Sequence, residues 1–419
     1  MPSVCFYFQV HQPLHLRHYT VFDQSEHYFD HHKNALICRK AANKCYLPAN
    51  RLLLKIIRRL GGKFKIAYSL TGVLLEQLQR YSPEVISTFD ALAETGCVEF
   101  LAETYYHSLS SLYSRDEFVE QVGKHVDTIG RFFGQRPRIF RNTELIYNND
   151  LAALVESMGI FDAIITEGAD HILGPRSPNF LYRPNGCSKL KLLLKNHPLS
   201  DDIALRFPNR RWSEWPLTAE KFAGWIGDIN GNGNVVNLFM DYETLGEHQW
   251  EDTSISEFMS QLPEEILNRP GNDFRTPSEV ARRYEATDTV DVPHFISWAA
   301  DSERDLSAWL GNAMQSSAIH ELYRLEKTVK QTGDEKIIAD WRRLQASDHF
   351  YYMCTKYLAD GDVHKCSNPY DSPYDSYINF MNVLNHLHSR CLNAATGGAA
   401  QDLELEIESS EDLDALIVS

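Results

Sequence analysis

Carboxylates and histidines recur in this chain where apolar runs stop. His11 follows the run 4–10, Glu103 and His107 follow 97–102, and Glu144 follows 137–141. Asp170 and His171 come after 163–166, and Asp241 and His248 come after 234–240. One carboxylate in such a place is usually solvated surface. Several, each behind a buried-strand pattern, converge on one rim if the strands are parallel. Two carboxylates on one rim suit the cleavage of a glycosidic bond. One protonates the leaving oxygen, and the other attacks or shields the positive anomeric carbon. The histidines and Asp241 could also hold zinc, as in a metal-dependent sugar hydrolase or a deacetylase on a similar barrel.

The elements that must position these residues alternate in type. Strand-like runs at 4–10, 64–70, 97–102, 137–141, 163–166, 189–195, 234–240 and 293–298 are separated by helical sequence. Helices are expected at 48–60, from 70 to 94 with a restart at Pro83, at 114–133 and 150–158, and near 201–207, 218–228, 255–267 and 278–284. Ser114 with Glu117 three residues on is a capping box for one of them. This alternation predicts a parallel sheet with right-handed crossovers, closed or nearly closed into a barrel. The His- and Tyr-rich stretch 15–32 is long for a plain connection and reads as a lid or a solvated segment.

Beyond residue 301 the strands stop. The stretches 305–328, 336–358 and 374–392 carry apolar residues at helical spacing and form an all-helical lobe. After Gly397 and Gly398 the chain is acidic and reads as a flexible tail. The expected division is a catalytic barrel at 1–304, a helical domain at 305–395 and a tail at 396–419.

Bulk properties narrow the partners. A formal charge of -16 disfavours nucleic acid and anionic membranes, and a neutral substrate is indifferent to it. The eight cysteines are scattered with no CxxC pair, which fits reduced, buried thiols. No apolar run approaches the roughly 18 residues of a membrane span. With no leader pattern at the N-terminus, a cytoplasmic protein is expected.

Five ordered motifs sharpen the reading: His11-Gln12-Pro13, the stretch 96–103 ending in Glu103, Asn142-Thr143-Glu144, Met240-Asp241-Tyr242-Glu243, and the stretch from Ser297 to Trp309. In this order they resemble the motifs of glycoside hydrolase family 57, most closely its α-amylase subgroup. The resemblance implies an incomplete (β/α)7 barrel followed by a helical domain, acting on an α-glucan or maltooligosaccharide with no cofactor or metal. It implies Glu144 as nucleophile and Asp241 as general acid/base of a retaining double displacement, with the pKa of Asp241 raised. It places His11, Glu103, His107, His248, Asp305 and Trp309 at or near sugar-binding positions. Phe140-Arg141-Asn142-Thr143 stands where many members carry a Trp-containing approach, which argues against the glucanotransferase and branching subgroups. Hydrolysis and transfer would share the site, since either water or a sugar can meet the intermediate. The plainer alternatives are that Glu144 pairs with Arg141 or Arg138, that Asp241 caps a turn, that Trp298 and Trp309 are core aromatics, or that the protein binds glucan without turning it over.

Overall fold

The computed structural model describes residues 2–247, 254–299, 304–356 and 368–415, with side chains to residue 394. Among the described residues the ten strands are β1 (Ser3–Val10), β2 (Ile66–Leu70), β3 (Val98–Phe100), β4 (Ile139–Arg141), β5 (Ala163–Glu167), β6 (Tyr182–Pro184), β7 (Lys191–Lys195), β8 (Val235–Asp241), β9 (Asp273–Phe274) and β10 (Asp288–Val290). They form two sheets, one ordered β3-β2-β1-β8 with β9 also on β1, the other ordered β10-β6-β7-β5-β4. Every pairing is parallel except β6 with β7.

Two seams join these sheets into a ring. Ala102 donates to the carbonyl of Ile139 at 2.9 Å and accepts from Arg141 N at 2.8 Å, linking the end of β3 to β4. Opposite, Asn196 N donates to the Asn237 carbonyl at 2.9 Å, and the Asn237 side-chain amide donates to the Leu194 carbonyl at 2.9 Å, linking β7 to β8. The order β8-β1-β2-β3-β4-β5-β7 is that of an incomplete (β/α)7 barrel, as expected.

The strands read as unbroken apolar runs because both of their faces are covered. All eight residues of β1 are buried, yet alternate ones go to different cores. Val4, Phe6, Phe8 and Val10 pack outward with Tyr68, Leu70, Leu238 and Met240 beneath the helices. Cys5 and Tyr7 point inward with Ala67, Leu101, Ile139, Ile165, Leu193 and Phe239. Burying one large apolar side chain stabilises by about 1.5–3 kcal/mol, so each strand is held from two sides.

Some expectations fail locally. The run 293–298 is no strand and makes only an isolated antiparallel bridge, Ile296 with Tyr147. The segment instead leads to Trp298, whose indole donates to Glu144. Helix His31–Ala41 was missed inside a histidine-rich stretch, and β9 and β10, of two and three residues, are too short to leave a pattern.

The chain divides into two compact units, Met1–Pro13 with His31–Leu306, and Leu14–Asp30 with Ser307–Ser419. The second unit contains the helices Ser307–Leu310, Ala313–Arg324, Glu326–Gln331, Glu335–Arg343, Ser347–Tyr351 and Pro373–Ala415. Within it the segment Leu14–Asp30 is fastened to the last helix: Tyr19 N donates to Asn379 Oδ1 at 2.6 Å, and the Asn379 amide donates to the Arg17 carbonyl at 3.0 Å. Helix Pro373–Ala415 enters the acidic stretch read from sequence as a tail. Among the described residues no helix is long and apolar enough to cross a membrane.

Candidate active site

The C-terminal ends of the barrel strands deliver a set of polar side chains to one rim. Gln9 of β1, Ser69 of β2, Arg141 of β4, Glu167 of β5 and Lys195 of β7 all sit in the last two residues of a strand or next to them, and all are buried. Glu103 follows β3, and Asp241 is the last residue of β8.

Glu103 is the hub of one side. Its carboxylate is 0% exposed and accepts from Ser69 Oγ at 2.5 Å and Gln9 Nε2 at 3.1 Å. His107 Nδ1 lies 3.2 Å and Arg141 Nη1 3.7 Å from its other oxygen. Burial alone would push its pKa up. The hydrogen bond and charge of His107, with Arg141 and His125, outweigh burial and bring it down to about 2.

His107 spans two carboxylates. Its Nε2 is 3.2 Å from Glu144 Oε1, and its ring stacks on His11 with centroids 4.0 Å apart. Burial disfavours the imidazolium, but the bonds to Glu103 and Glu144 raise its pKa to about 9, so at neutral pH both ring nitrogens donate. His11 is fixed in turn by Thr71 Oγ1 at 2.9 Å from its Nδ1, and Thr71 caps helix Gly72–Tyr81.

Glu144 stands in a 3-10 turn, Thr143–Leu145, just past β4. Its φ is 56° and that of Leu145 is 51°, while His107 has φ 54°. Left-handed backbone at a non-glycine residue costs about 1–3 kcal/mol, and such strain collects where a side chain must be aimed. The turn is held by Asn142 Nδ2 donating to the Ile146 carbonyl at 3.0 Å and by the hydroxyls of Thr104 and Thr143 at 2.8 Å. Trp298 Nε1 donates to Glu144 Oε2 at 2.7 Å. The Glu144 side chain keeps 17% of its surface exposed, enough for a reacting atom to reach it.

On the other side Glu167 Oε2 forms ion pairs with Arg304 Nη1 at 2.9 Å and Lys195 Nζ at 3.5 Å, and Lys195 also reaches Asp201 at 3.1 Å. Arg138 pairs with Asp162 and Arg141 with Glu103, so these arginines have carboxylate partners other than Glu144.

Asp241 is half-buried and stands at the N-terminal position of the 3-10 turn Tyr242–Leu245, but its side chain makes no capping hydrogen bond there. Its register partner on β1 is Gln9, whose side chain reaches Glu103. Two residues on, Glu243 is buried and accepts from Tyr46 Oη at 2.5 Å. Burial first, and then the charge of Asp241, raise its pKa to about 8.

Of the residues expected from sequence, His11, Glu103, His107 and Glu144 meet in one hydrogen-bonded and stacked array, and Asp241 ends a strand of the same rim. Glu103 faces His107, Gln9 and Ser69 and has no exposed surface. Asp305 accepts from Ser297 Oγ through its carbonyl at 2.6 Å, next to the Trp298 segment. Trp309 belongs to the second unit, where it is buried with its ring 6.4 Å from that of Tyr351. His248 lies outside the described residues. Asp170 and His171 start a short helix after β5, and the 87% exposed Asp170 side chain pairs with His197 at 3.3 Å. Sequence reasoning missed Gln9, Ser69, Glu167 and Lys195, although a polar residue closing an apolar strand was the available signal. Among the described residues no group of three or more His, Cys, Asp or Glu is arranged to hold a metal ion.

The seven-stranded α/β barrel with a carboxylate array on its C-terminal rim is an enzyme-type barrel, and the family match makes it a glycoside hydrolase. The chain is a member of Glycosyl hydrolase family 57, whose model matches residues 5–293. It is 42% identical over 398 residues, 91% of its own length and 83% of the other's, to a Methanocaldococcus jannaschii protein named "Putative alpha-amylase". Its fold is similar to that of a GH57-type branching enzyme from Pyrococcus horikoshii, with TM-score 0.67, 16% identity, and coverage of 92% of this chain and 88% of that one. It is similar also to 4-alpha-glucanotransferase from Thermococcus litoralis, with TM-score 0.66 and 13% identity, covering 91% of this chain and 59% of that one.

Proposed function

We propose that the protein cleaves α-1,4-glucans with retention of configuration, with Glu144 as nucleophile and Asp241 as general acid/base. Glu144 attacks the anomeric carbon while Asp241 gives its proton to the leaving oxygen, and Asp241 then takes a proton from the water that opens the glycosyl ester. The observation that carries this reading is the state of Glu144: a strained, partly exposed carboxylate with a donor on each oxygen, at a strand end of a family 57 barrel. In this reading His107 and Glu103 orient the nucleophile, and His11, His107, His248 and Asp305 bind sugar. The relative named for α-amylase activity supports hydrolysis of α-glucan. The seven described cysteines are free, which supports a reducing compartment and hence the cytoplasm.

The test is a panel of glycogen and maltooligosaccharides with the wild type beside Glu144→Ala and Asp241→Ala. Hydrolysis lost in both variants supports the assignment, and full activity in Glu144→Ala removes it. Products longer than a maltotriose substrate would make the enzyme a transferase at the same site.

A further inference from the structure

We propose that Trp298 is a positioning residue for Glu144, fixing its carboxylate at both the backbone and the side chain and adjusting its charge through the indole N–H. This rests on the reading of Glu144 as nucleophile. Trp298 N donates to the Glu144 carbonyl at 3.1 Å, and Trp298 Nε1 donates to Glu144 Oε2 at 2.7 Å. One residue therefore grips the nucleophile at two points, across the left-handed turn formed by Glu144 and Leu145. A turn of that kind persists only where its surroundings over-determine it.

The segment carrying Trp298 is itself anchored. Ile296 and Tyr147 exchange backbone hydrogen bonds of 2.9 Å, Ser297 N donates to the Arg304 carbonyl at 2.8 Å, and Arg304 is tied to Glu167. With His107 on Oε1 and Trp298 on Oε2, rotation of the carboxylate about its last bond breaks one donor bond or both.

An indole suits this role for an electrostatic reason. The His107 imidazolium already sits on Oε1, and a lysine or arginine bonded to Oε2 would add a second full charge against the carboxylate. A neutral N–H orients the second oxygen without adding that charge. Two further cations lie against the ring: the Arg141 guanidinium carbon is 5.0 Å and Lys195 Nζ 5.6 Å from the Trp298 ring. Cations against an indole draw on its π density and make its N–H a better donor. Arg141 is fully buried, and none of its three guanidinium nitrogens has a hydrogen-bond partner among the described residues, while its charge lies against the ring and 3.7 Å from Glu103.

The indole bond is strongest while Glu144 is a carboxylate and weakens when its charge is consumed in the ester. Losing the donor must therefore raise the pKa of Glu144 and slow the step that regenerates the carboxylate. A side chain that merely filled space would do neither.

The experiment compares the wild type with Trp298→Phe and Trp298→Tyr, which keep an aromatic ring but lose the indole donor, and circular dichroism establishes which variants are folded. In a folded variant kcat on maltooligosaccharides should fall about 10–100-fold with KM within about threefold, and the acid limb of kcat/KM should move up by about half to one pH unit. In wild-type protein with 15N-labelled tryptophan, one indole N–H resonance should titrate along that limb and stop doing so in Glu144→Gln, a result that needs no folded Trp298 variant. A kcat within twofold of wild type, a loss of kcat with an unmoved acid limb, or no indole resonance that follows Glu144 overturns the proposal. Covalent trapping of wild type by a 5-fluoro glycosyl fluoride separates the two readings. Label on Glu144 with unaffected Trp298 variants removes only this inference, and label elsewhere removes the assignment of Glu144 as well.

Discussion

His107 joins Glu103 to Glu144: its Nδ1 lies 3.2 Å from Glu103 Oε2 and its Nε2 lies 3.2 Å from Glu144 Oε1. Neither carboxylate can titrate without the ring between them noticing, and the pH dependence of the site follows from that link.

The first prediction concerns stability against pH. The pKa of His107 is raised from 6.5 to about 9, so its contribution is fully present below about 6.5 and is lost as pH climbs through about 9. That of Glu103 is depressed from 4.5 to about 2, so its contribution is present above about 4.5 and is lost as pH falls toward 2. The two describe one interaction and are not added. A shift of this size is worth up to about 3 kcal/mol. Melting temperature measured from pH 5 to 10 should therefore drop on the alkaline side, and His107→Asn should flatten that drop while lowering kcat. A variant whose alkaline profile matches wild type would show that His107 is neutral in the folded protein.

The second prediction separates the roles of the two proposed catalytic carboxylates by product stereochemistry. With a maltosyl fluoride or aryl maltoside and added azide, Glu144→Ala should yield the β-glycosyl azide, because azide enters from the face the nucleophile has vacated. Asp241→Ala should still form the glycosyl ester with a good leaving group, and azide should then give the α-product. Turnover on glycogen should fall by about 10³-fold or more in both. The opposite pairing of azide anomers would exchange the two roles.

Much of this was legible in the residues. Apolar strands ending in His11, Glu103, Glu144 and Asp241 gave away a parallel barrel with its chemistry on one rim, because a strand buried on both faces has only its ends to offer to solvent. The supporting residues were harder to see. Gln9, Ser69, Glu167 and Lys195 lie inside or at the edge of such runs, and one polar residue there looks like noise until the ring brings four of them together. The place of Trp298 could not be read from a period, since its segment sits in neither a helix nor a strand and meets Glu144 across 154 positions. The run 293–298 has strand-like composition, but strand propensity yields to tertiary context, and here the run bridges only to Tyr147 beside the Glu144 turn.

The third prediction runs against the usual expectation that removing a buried hydrogen-bonded carboxyl destabilises. Glu243 is buried, and burial together with the charge of Asp241 raises its pKa from 4.5 to about 8. It is therefore held neutral in the folded protein at pH 7 while it would ionise in the unfolded chain, and stability declines as pH rises from about 4.5 to about 8. Glu243→Gln keeps an acceptor for Tyr46 Oη and cannot ionise. The variant should melt higher than wild type at pH 8, by on the order of 1–3 kcal/mol in stability, and should match it near pH 4. A variant less stable than wild type at both values would mean that Glu243 is ionised in place.

The last prediction reaches the site from a glycine that touches no substrate. Gly168 follows Glu167 at the tip of β5, and a Cβ built there would lie 2.3 Å from the Lys195 carbonyl oxygen and 3.1 Å from Pro178 Cβ. Backbone cannot step aside as a flexible side chain can, so Gly168→Ala must push the ends of β5 and β7 apart. Glu167 and Lys195 sit on those two ends, 3.5 Å apart, and Lys195 Nζ is also 5.6 Å from the Trp298 ring. Overpacking of this kind costs about 1–3 kcal/mol. Its effect on catalysis should travel with the displaced strand ends, lowering kcat several-fold in protein that is still folded at the assay temperature. Removing the opposing Cβ with Pro178→Gly should not rescue it, because the tighter clash is with main chain. A Gly168→Ala protein with wild-type melting temperature and kcat would show that β5 and β7 can separate freely at the rim and that their tips do not fix the site.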